Sequence, residues 1–280
     1  MTLCASDGFC QKNHIVPDDG FFFGLGVFET IALEQGVPLF FREHLERMQI
    51  SLERLGIAKS QEEIIACARR ACQGEACRGS KVLKLVATER NCFATVRANA
   101  YTDARRAKGF VCEISDVRRN ETSPLATMKT LNYADNILQK RAAVSHGIDE
   151  PIFLNIAGQV TEGATSNIFA VIDGEVVTPP ASCGLLPGVM RAFAMQITGA
   201  CERILLPGDL GSASEVFLTN SLMTAMPVCS IDGQCLVGNG AFPALRQRAH
   251  QVNQAYLEEV ERVCAQWKKA SDPWDQLFGN

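Results

Sequence analysis

One of the nine lysines in this chain is set apart by its surroundings. Lys129, in the segment MKTLN, comes just before a helix-like run from Asn132 to His146 that Gly147 would end. A lysine amine attacks a carbonyl or takes a proton only when neutral, a state favoured by partial desolvation beside other cations. A solvated surface position is the ordinary fate of a lysine, so a chemical role needs support from elsewhere. Two segments offer it. GQVTEGATSNIFAV puts Glu162 in a short loop between apolar strands, flanked by Gly163 and the small residues Ala164 to Ser166. Taken alone, an exposed loop charge is the usual explanation for such a carboxylate. GLLPGVMR turns at Pro187 and Gly188 and then opens a helix, so the amides of Val189 and Met190 are aimed as a phosphate would require. Alone, that glycine is mostly a turn device.

The context is an ordered set of motifs. GFFFGLGVFET, the helix containing Arg47, MKTLN, TEGATSNIF, GLLPGVMR and FLTNSL follow one another between about Gly20 and Val228. Together they resemble the class IV fold of pyridoxal-phosphate enzymes, which includes branched-chain and D-amino-acid aminotransferases and 4-amino-4-deoxychorismate lyase. The resemblance implies a two-domain α+β fold, with a small α/β N-terminal domain and a larger barrel-like C-terminal domain. It implies that Lys129 forms the Schiff base with pyridoxal 5'-phosphate and that Glu162 faces the pyridine nitrogen. It also implies that Arg47, the amides of Val189 and Met190, and Ser221 hold the phosphate. An anionic Glu162 would keep the ring nitrogen protonated, so that the ring accepts electrons when the Cα–H bond breaks. Arg47 and the helix end would fix the ring through charge-assisted hydrogen bonds.

Those motifs do not separate amino transfer from elimination. Two residues between the lysine and the asparagine in MKTLNY look like the D-amino-acid aminotransferase and lyase branches. Thr-Asn-Ser-Leu followed by Met-Pro in EVFLTNSLMTAMPV is similar to the lyase pattern. The expected reaction is therefore conversion of 4-amino-4-deoxychorismate to 4-aminobenzoate and pyruvate, a step of folate biosynthesis, with Phe28 and Asn220 meeting substrate. The Arg-Gly-rich turn that many relatives use for substrate carboxylates is replaced here by TERNCFATVR, in which Arg97 or Arg90 could supply the cation or be a solvated strand residue. The rivals are a class IV aminotransferase acting on D-amino or branched-chain amino acids, and a relative that binds the cofactor without turnover.

Positioning these residues calls for a particular run of elements. Phe21 to Leu33 reads as strand, interrupted at Gly24 and Gly26 where the backbone turns or approaches something closely. Arg42 to Leu55 is an amphipathic helix, and Ser60 with Glu63 makes a capping box for a second helix ending near Gln73. Val82 to Ala87, Thr95 to Tyr101 and Phe110 to Val117 read as strands completing the first domain, 1–117. The polar, aperiodic stretch 118–127 is the expected linker, and 128–280 the cofactor-binding domain, with Lys129 entering the cleft between the two. In that second part the pattern predicts a strand from Pro151 to Ile156 and an Asp173-Gly174 hairpin joining Ile168–Ile172 to Glu175–Thr178. A helix from Gly188 to about Ala200, strands at Val216–Thr219 and Met226–Ile231, and a closing helix from Pro243 to Trp267 follow.

Composition narrows the class of partner. At 280 residues, 47% hydrophobic and net charge -4, the chain can bury a large core and carries no basic stripe for nucleic acid or anionic membrane. A small-molecule substrate is the expectation. Twelve dispersed cysteines read as reduced thiols, and Cys67, Cys72 and Cys77, five residues apart, lack the knuckle spacing of zinc sites, so no metal is expected. No stretch is apolar enough to span a bilayer and the N-terminus lacks a signal pattern, so a cytoplasmic protein is expected. Family resemblance further implies a homodimer.

Overall fold

β1 (Gly26–Glu34) is the spine of the first compact unit, because its residues alternate between two faces with different duties. A computed structural model describes residues 15–236, 247–270, 272 and 274. The first unit takes the described residues up to Ala100, then Lys129–Asn132, then those from Glu258 onward. Its antiparallel sheet runs β2 (Val37–Pro38), β1, β3 (Ser80–Thr88), β4 (Cys92–Ala98). Val27, Ile31 and Leu33 of β1 and Leu83, Leu85 and Ala87 of β3 form one apolar face. It packs against Leu45, Met48 and Leu52 of α2 (Phe41–Arg54) and Ile64 and Ala68 of α3 (Gln61–Ala71).

Two local expectations are corrected here. Phe21–Phe23 are helical, not strand: α1 (Asp19–Phe23) starts where the Asp18 side chain accepts from the Phe21 amide at 3.2 Å. It stops at Gly24, whose φ of 71° suits glycine. At the start of α3, Ser60 accepts from the Glu63 amide at 3.2 Å, but the Glu63 carboxylate turns to the Lys59 amine at 2.9 Å. An opposite charge one turn away competes successfully with the reciprocal cap.

The second unit comprises Tyr101–Met128 and Tyr133–Leu257. It adds α4 (Asp103–Lys108), β5 (Phe110–Arg119), α5 (Ala134–Ser145), β6 (Glu150–Asn155), β7 (Val160–Gly163), β8 (Asn167–Ile172) and β9 (Glu175–Thr178). α6 (Val189–Thr198), β10 (Cys201–Glu202), α7 (Pro207–Ser212), β11 (Glu215–Asn220), β12 (Thr224–Ile231) and β13 (Gln234–Cys235) follow. Strands β8, β11, β12, β5, β6 and β7 pair in turn, and β7 returns to β8 through Glu162 and Asn167, closing a six-stranded barrel. The fold is thus the mixed helix and sheet expected from the sequence, with the expected barrel.

β5 runs parallel to both β6 and β12, so it belongs to the barrel and not to the first sheet, although its sequence follows β4 closely. The first sheet ends at β4, and α4 then carries the chain away. Phe169 and Phe217, directly opposed on β8 and β11, stack at 4.9 Å and pack with Ala194 of α6 and with Ala249 and Val252 of α8 (Gln247–Lys269). α8 belongs to the second unit through Leu257 and to the first from Glu258. The expected start of that helix, 243–246, lies outside the described residues. Among the described residues the cysteines are all free thiols, no cluster of acids, histidines and cysteines could hold a metal, and no helix is long and apolar enough to cross a membrane.

Candidate active site

In the first unit, Lys129–Leu131 lies along the start of β1. The Phe28 amide donates to the Lys129 carbonyl and the Leu131 amide to the Gly26 carbonyl, both at 2.9 Å, and Thr130 bridges Val27. Asn132 donates from Nδ2 to the Gly24 carbonyl at 3.0 Å. A Cβ at Gly24 would lie 2.6 Å from the Asn132 side chain, so the close approach expected at that glycine is the passage of the lysine segment itself. Lys129 is half-buried, with Nζ 4.6 Å from the centroid of the Phe28 ring. An aromatic face attracts the ammonium there.

Arg47 comes from the buried side of α2. Its Nε and Nη2 donate to the two oxygens of Glu29 at 2.8 and 2.6 Å, while Glu29 also shares a 2.7 Å hydrogen bond with His44 Nδ1. Glu29 and His44 are each 1% exposed. Burial, the largest influence on Glu29, acts to raise its pKa, but the charge of Arg47 and the bond to His44 prevail and hold it well below the carboxylate range. Burial also pushes His44 below the usual imidazole value, against the pull of Glu29 and with help from the charges of Arg47 and Lys129. The neutral imidazole and the paired charges make a rigid mount that fixes the orientation of the guanidinium.

In the second unit, Glu162 sits on β7, within a strand and not in the expected loop, because β7 closes the barrel through it. It is 6% exposed. Oε1 accepts from Arg119 Nη2 at 3.1 Å, and Oε2 from the Leu186 amide at 3.1 Å and Asn167 Nδ2 at 3.3 Å. The following loop is anchored by buried Glu150, whose Oε1 accepts from the Thr165 amide at 2.6 Å and from Ser166 Oγ at 2.9 Å. Lys140 pairs with the same carboxylate.

Asn167 also reaches toward the start of α6. A Cβ at Gly188 would lie 2.0 Å from Asn167 Oδ1, so the residue before α6 must be glycine. No side chain caps that helix, whose first residues are Val189 and Met190. Directly opposite Asn167 across the sheet is Thr219, whose buried Oγ1 has no hydrogen-bond partner among the described residues. Asn220 Oδ1 accepts from the amides of Leu222 and Met223, both at 2.9 Å, and its Nδ2 donates to the Thr165 carbonyl at 3.1 Å, so this side chain organises the turn between β11 and β12. Ser221 lies half-buried in that turn. Arg97 is exposed on β4 and donates to the Ala98 carbonyl at 3.1 Å, and Arg90, at the turn before β4, reaches the Pro17 carbonyl at 3.4 Å.

The structure therefore joins Lys129 with Phe28 and mounts Arg47 on Glu29 in one unit. In the other it joins Glu162, Asn167 and the start of α6. Sequence reasoning passed over Glu29, His44, Arg119, Asn167 and Thr219. Glu29 carried a signal, since it occupies a core-facing position in the alternation Val27, Glu29, Ile31, Leu33, and an acid placed there needs buried partners. Arg119 carried only the weak signal of a paired arginine at a strand end.

Known proteins resemble this chain in sequence and fold. A profile of the amino-transferase class IV family matches residues 26–231. A candidate branched-chain-amino-acid aminotransferase of Aquifex aeolicus is 26% identical over 283 residues, covering 91% of this chain and 90% of that protein. The aminodeoxychorismate lyase of Bacillus subtilis is 29% identical over 248 residues, 77% of this chain and 80% of that one. A crystal structure of a candidate 4-amino-4-deoxychorismate lyase from Legionella pneumophila superposes with a TM-score of 0.74 at 25% identity, covering 87% of this chain and 96% of that one. With the profile spanning most of the sequence, the chain belongs to the class IV aminotransferases, enzymes that work with pyridoxal phosphate.

Proposed function

We propose that this enzyme is a 4-amino-4-deoxychorismate lyase that yields 4-aminobenzoate and pyruvate, with Lys129 as the amine that bonds to the cofactor and moves the substrate proton. Pyridoxal phosphate, when bound, supplies the electron sink for the bond that breaks. The residues present suit such a group. Gly188 lets the start of α6 pack against Asn167, the amides of Val189 and Met190 open an uncapped helix, and the Thr219 hydroxyl is buried without a hydrogen-bond partner among the described residues. Arg47, Val189, Met190 and Ser221 would hold the phosphate. Glu162 would hold a proton on the ring nitrogen, with Arg119, Asn167 and the Leu186 amide fixing its carboxylate. Phe28, Arg97 and Asn220 are assigned to the substrate side, Asn220 through the turn it organises. A homodimer in the cytoplasm, serving folate biosynthesis, completes the reading.

The observation that carries the lyase over the transferase is the turn Asn220–Met223. The lyase-like Thr-Asn-Ser-Leu stretch is folded around the Asn220 side chain. An aminotransferase reading is favoured by the similarity to the Aquifex aeolicus protein over 91% of this chain. Incubating the loaded enzyme with 4-amino-4-deoxychorismate decides between them. Stoichiometric 4-aminobenzoate and pyruvate are expected, and Lys129→Ala should reduce the rate by at least about a thousandfold. No 4-aminobenzoate, together with conversion of the cofactor to its amine form by a D-amino or branched-chain amino acid, would establish the transferase instead.

A further inference from the structure

Lys84 is a mid-strand lysine on the interior strand β3, on the face of the first sheet turned away from α2 and α3. The pairing register shows this: Phe28 opposes Val86, Thr30 opposes Lys84, Lys84 opposes Thr95, and Val82 opposes Arg97. By strand alternation Phe28, Lys84 and Arg97 therefore share one face, while Val27, Ile31, Leu83 and Leu85 share the helix-covered one. Val82 and Val86, on either side of Lys84 along its face, are buried. Lys84 Nζ lies 4.6 Å from the centroid of the Phe28 ring, the same distance at which Lys129 Nζ meets that ring. The two nitrogens are thus no farther apart than twice that distance, a separation comparable to the Debye length in physiological salt.

Among the described residues no carboxylate pairs with Lys84 or Arg97. Two like charges are therefore diagonal neighbours on one face of the sheet without an acid to offset them, a repulsion that an incoming anion would relieve. Lys84 is itself exposed to solvent, and partial desolvation first, then the charge of Arg97, hold its pKa below the usual lysine value.

We propose that Lys84, assisted by Arg97, is the specificity residue that binds a substrate carboxylate standing several bonds from the amine-bearing carbon, beside the same Phe28 ring that Lys129 meets. This rests on the lyase reading and sharpens it. An α-amino acid bears its carboxylate on the carbon that carries the amine. An amino-cyclohexadiene carboxylate carries it on the far side of its own ring, where a second cation set apart from Lys129 but on the same aromatic side chain would meet it.

Binding of product-like probes to the loaded protein tests this without any turnover. 4-Aminobenzoate has the ring, the amine and the distant carboxylate, and aniline lacks only the carboxylate. Titration calorimetry should show that Lys84→Met weakens 4-aminobenzoate at least about tenfold, as expected for loss of a charge-assisted hydrogen bond. Aniline should be unaffected, and Lys84→Arg should retain most of the affinity. Arg97→Met should give a smaller loss in the same direction. Equal weakening of both probes, or no change in 4-aminobenzoate binding in Lys84→Met, would overturn the proposal. So would failure of the unsubstituted protein to prefer 4-aminobenzoate over aniline. Failure of the lyase reading appears elsewhere, as absence of 4-aminobenzoate formation in the turnover assay.

Discussion

At the scale of single residues, charge is placed where its partners are already fixed. Glu29 is buried with Arg47 and His44 on its two oxygens, so removing its charge leaves a guanidinium without its mount. Glu29→Gln should cost about 3–5 kcal/mol, the scale for breaking a buried pair from one side. Thermal unfolding should show it as a drop in Tm on the order of 10 °C. Arg119 acts through another residue. It holds one oxygen of Glu162 while its guanidinium lies 4.4 Å from the Phe153 ring centroid, so Arg119→Met should lower kcat by roughly tenfold or more while leaving KM nearly unchanged. A matching rise in KM, or an unchanged pH profile of kcat, would show that Arg119 serves only packing. Lys129 and Glu162 stood out in the sequence because a motif surrounds each. Arg119 did not, because its importance comes from the barrel closure that sets β5 and β7 in one sheet, a contact forty-three residues apart in sequence.

At the scale of elements, helix starts and tight passages were readable because their causes are local. The Gly56 stop after α2, the Ser60 cap, the Asp173-Gly174 turn with φ of 52° and 82°, and the α6 start all appear where side-chain chemistry predicts them. α1 was not readable as a helix. Its three phenylalanines resemble a strand, and only the Asp18 cap, itself held by Thr88 and the Arg90 amide, decides otherwise. β5 was misplaced for a related reason, since strand pairing is set by long-range partners that a local pattern does not name. The α6 start carries its own prediction. Gly188→Ala would press a methyl group onto Asn167 Oδ1, so the helix end must shift and pyridoxal phosphate should bind at least about tenfold more weakly. Equilibrium dialysis of the cofactor measures this, and unchanged affinity would remove α6 from the phosphate site.

At the scale of the whole molecule, stability against acid follows from the buried mount in the first unit. His44 has its pKa lowered in the folded chain, so below its ordinary value of about 6.5 the unfolded chain binds a proton that the folded one refuses. Stability should therefore fall as pH drops through that range. A second loss should come below the ordinary carboxylate range, where Glu29, also lowered, resists protonation only while folded. Denaturant titrations from pH 8 to 4 should show the first decline, and His44→Gln should flatten it below about pH 6.5.

The chain passes between its two compact units at 100/101, 128/129, 132/133 and 257/258, and Lys129–Asn132 is a visit of only four residues. A gene split at any single point therefore cannot yield fragments that each hold one complete unit. Cutting after Ala100 strands Lys129 on the barrel fragment, away from the strand that Phe28 offers it, and cutting after Asn132 severs β5 from β6. Domain-swapped chimeras with relatives would have to exchange the lysine segment and the tail of α8 together with the N-terminal half, or they would carry the amine on a foreign scaffold.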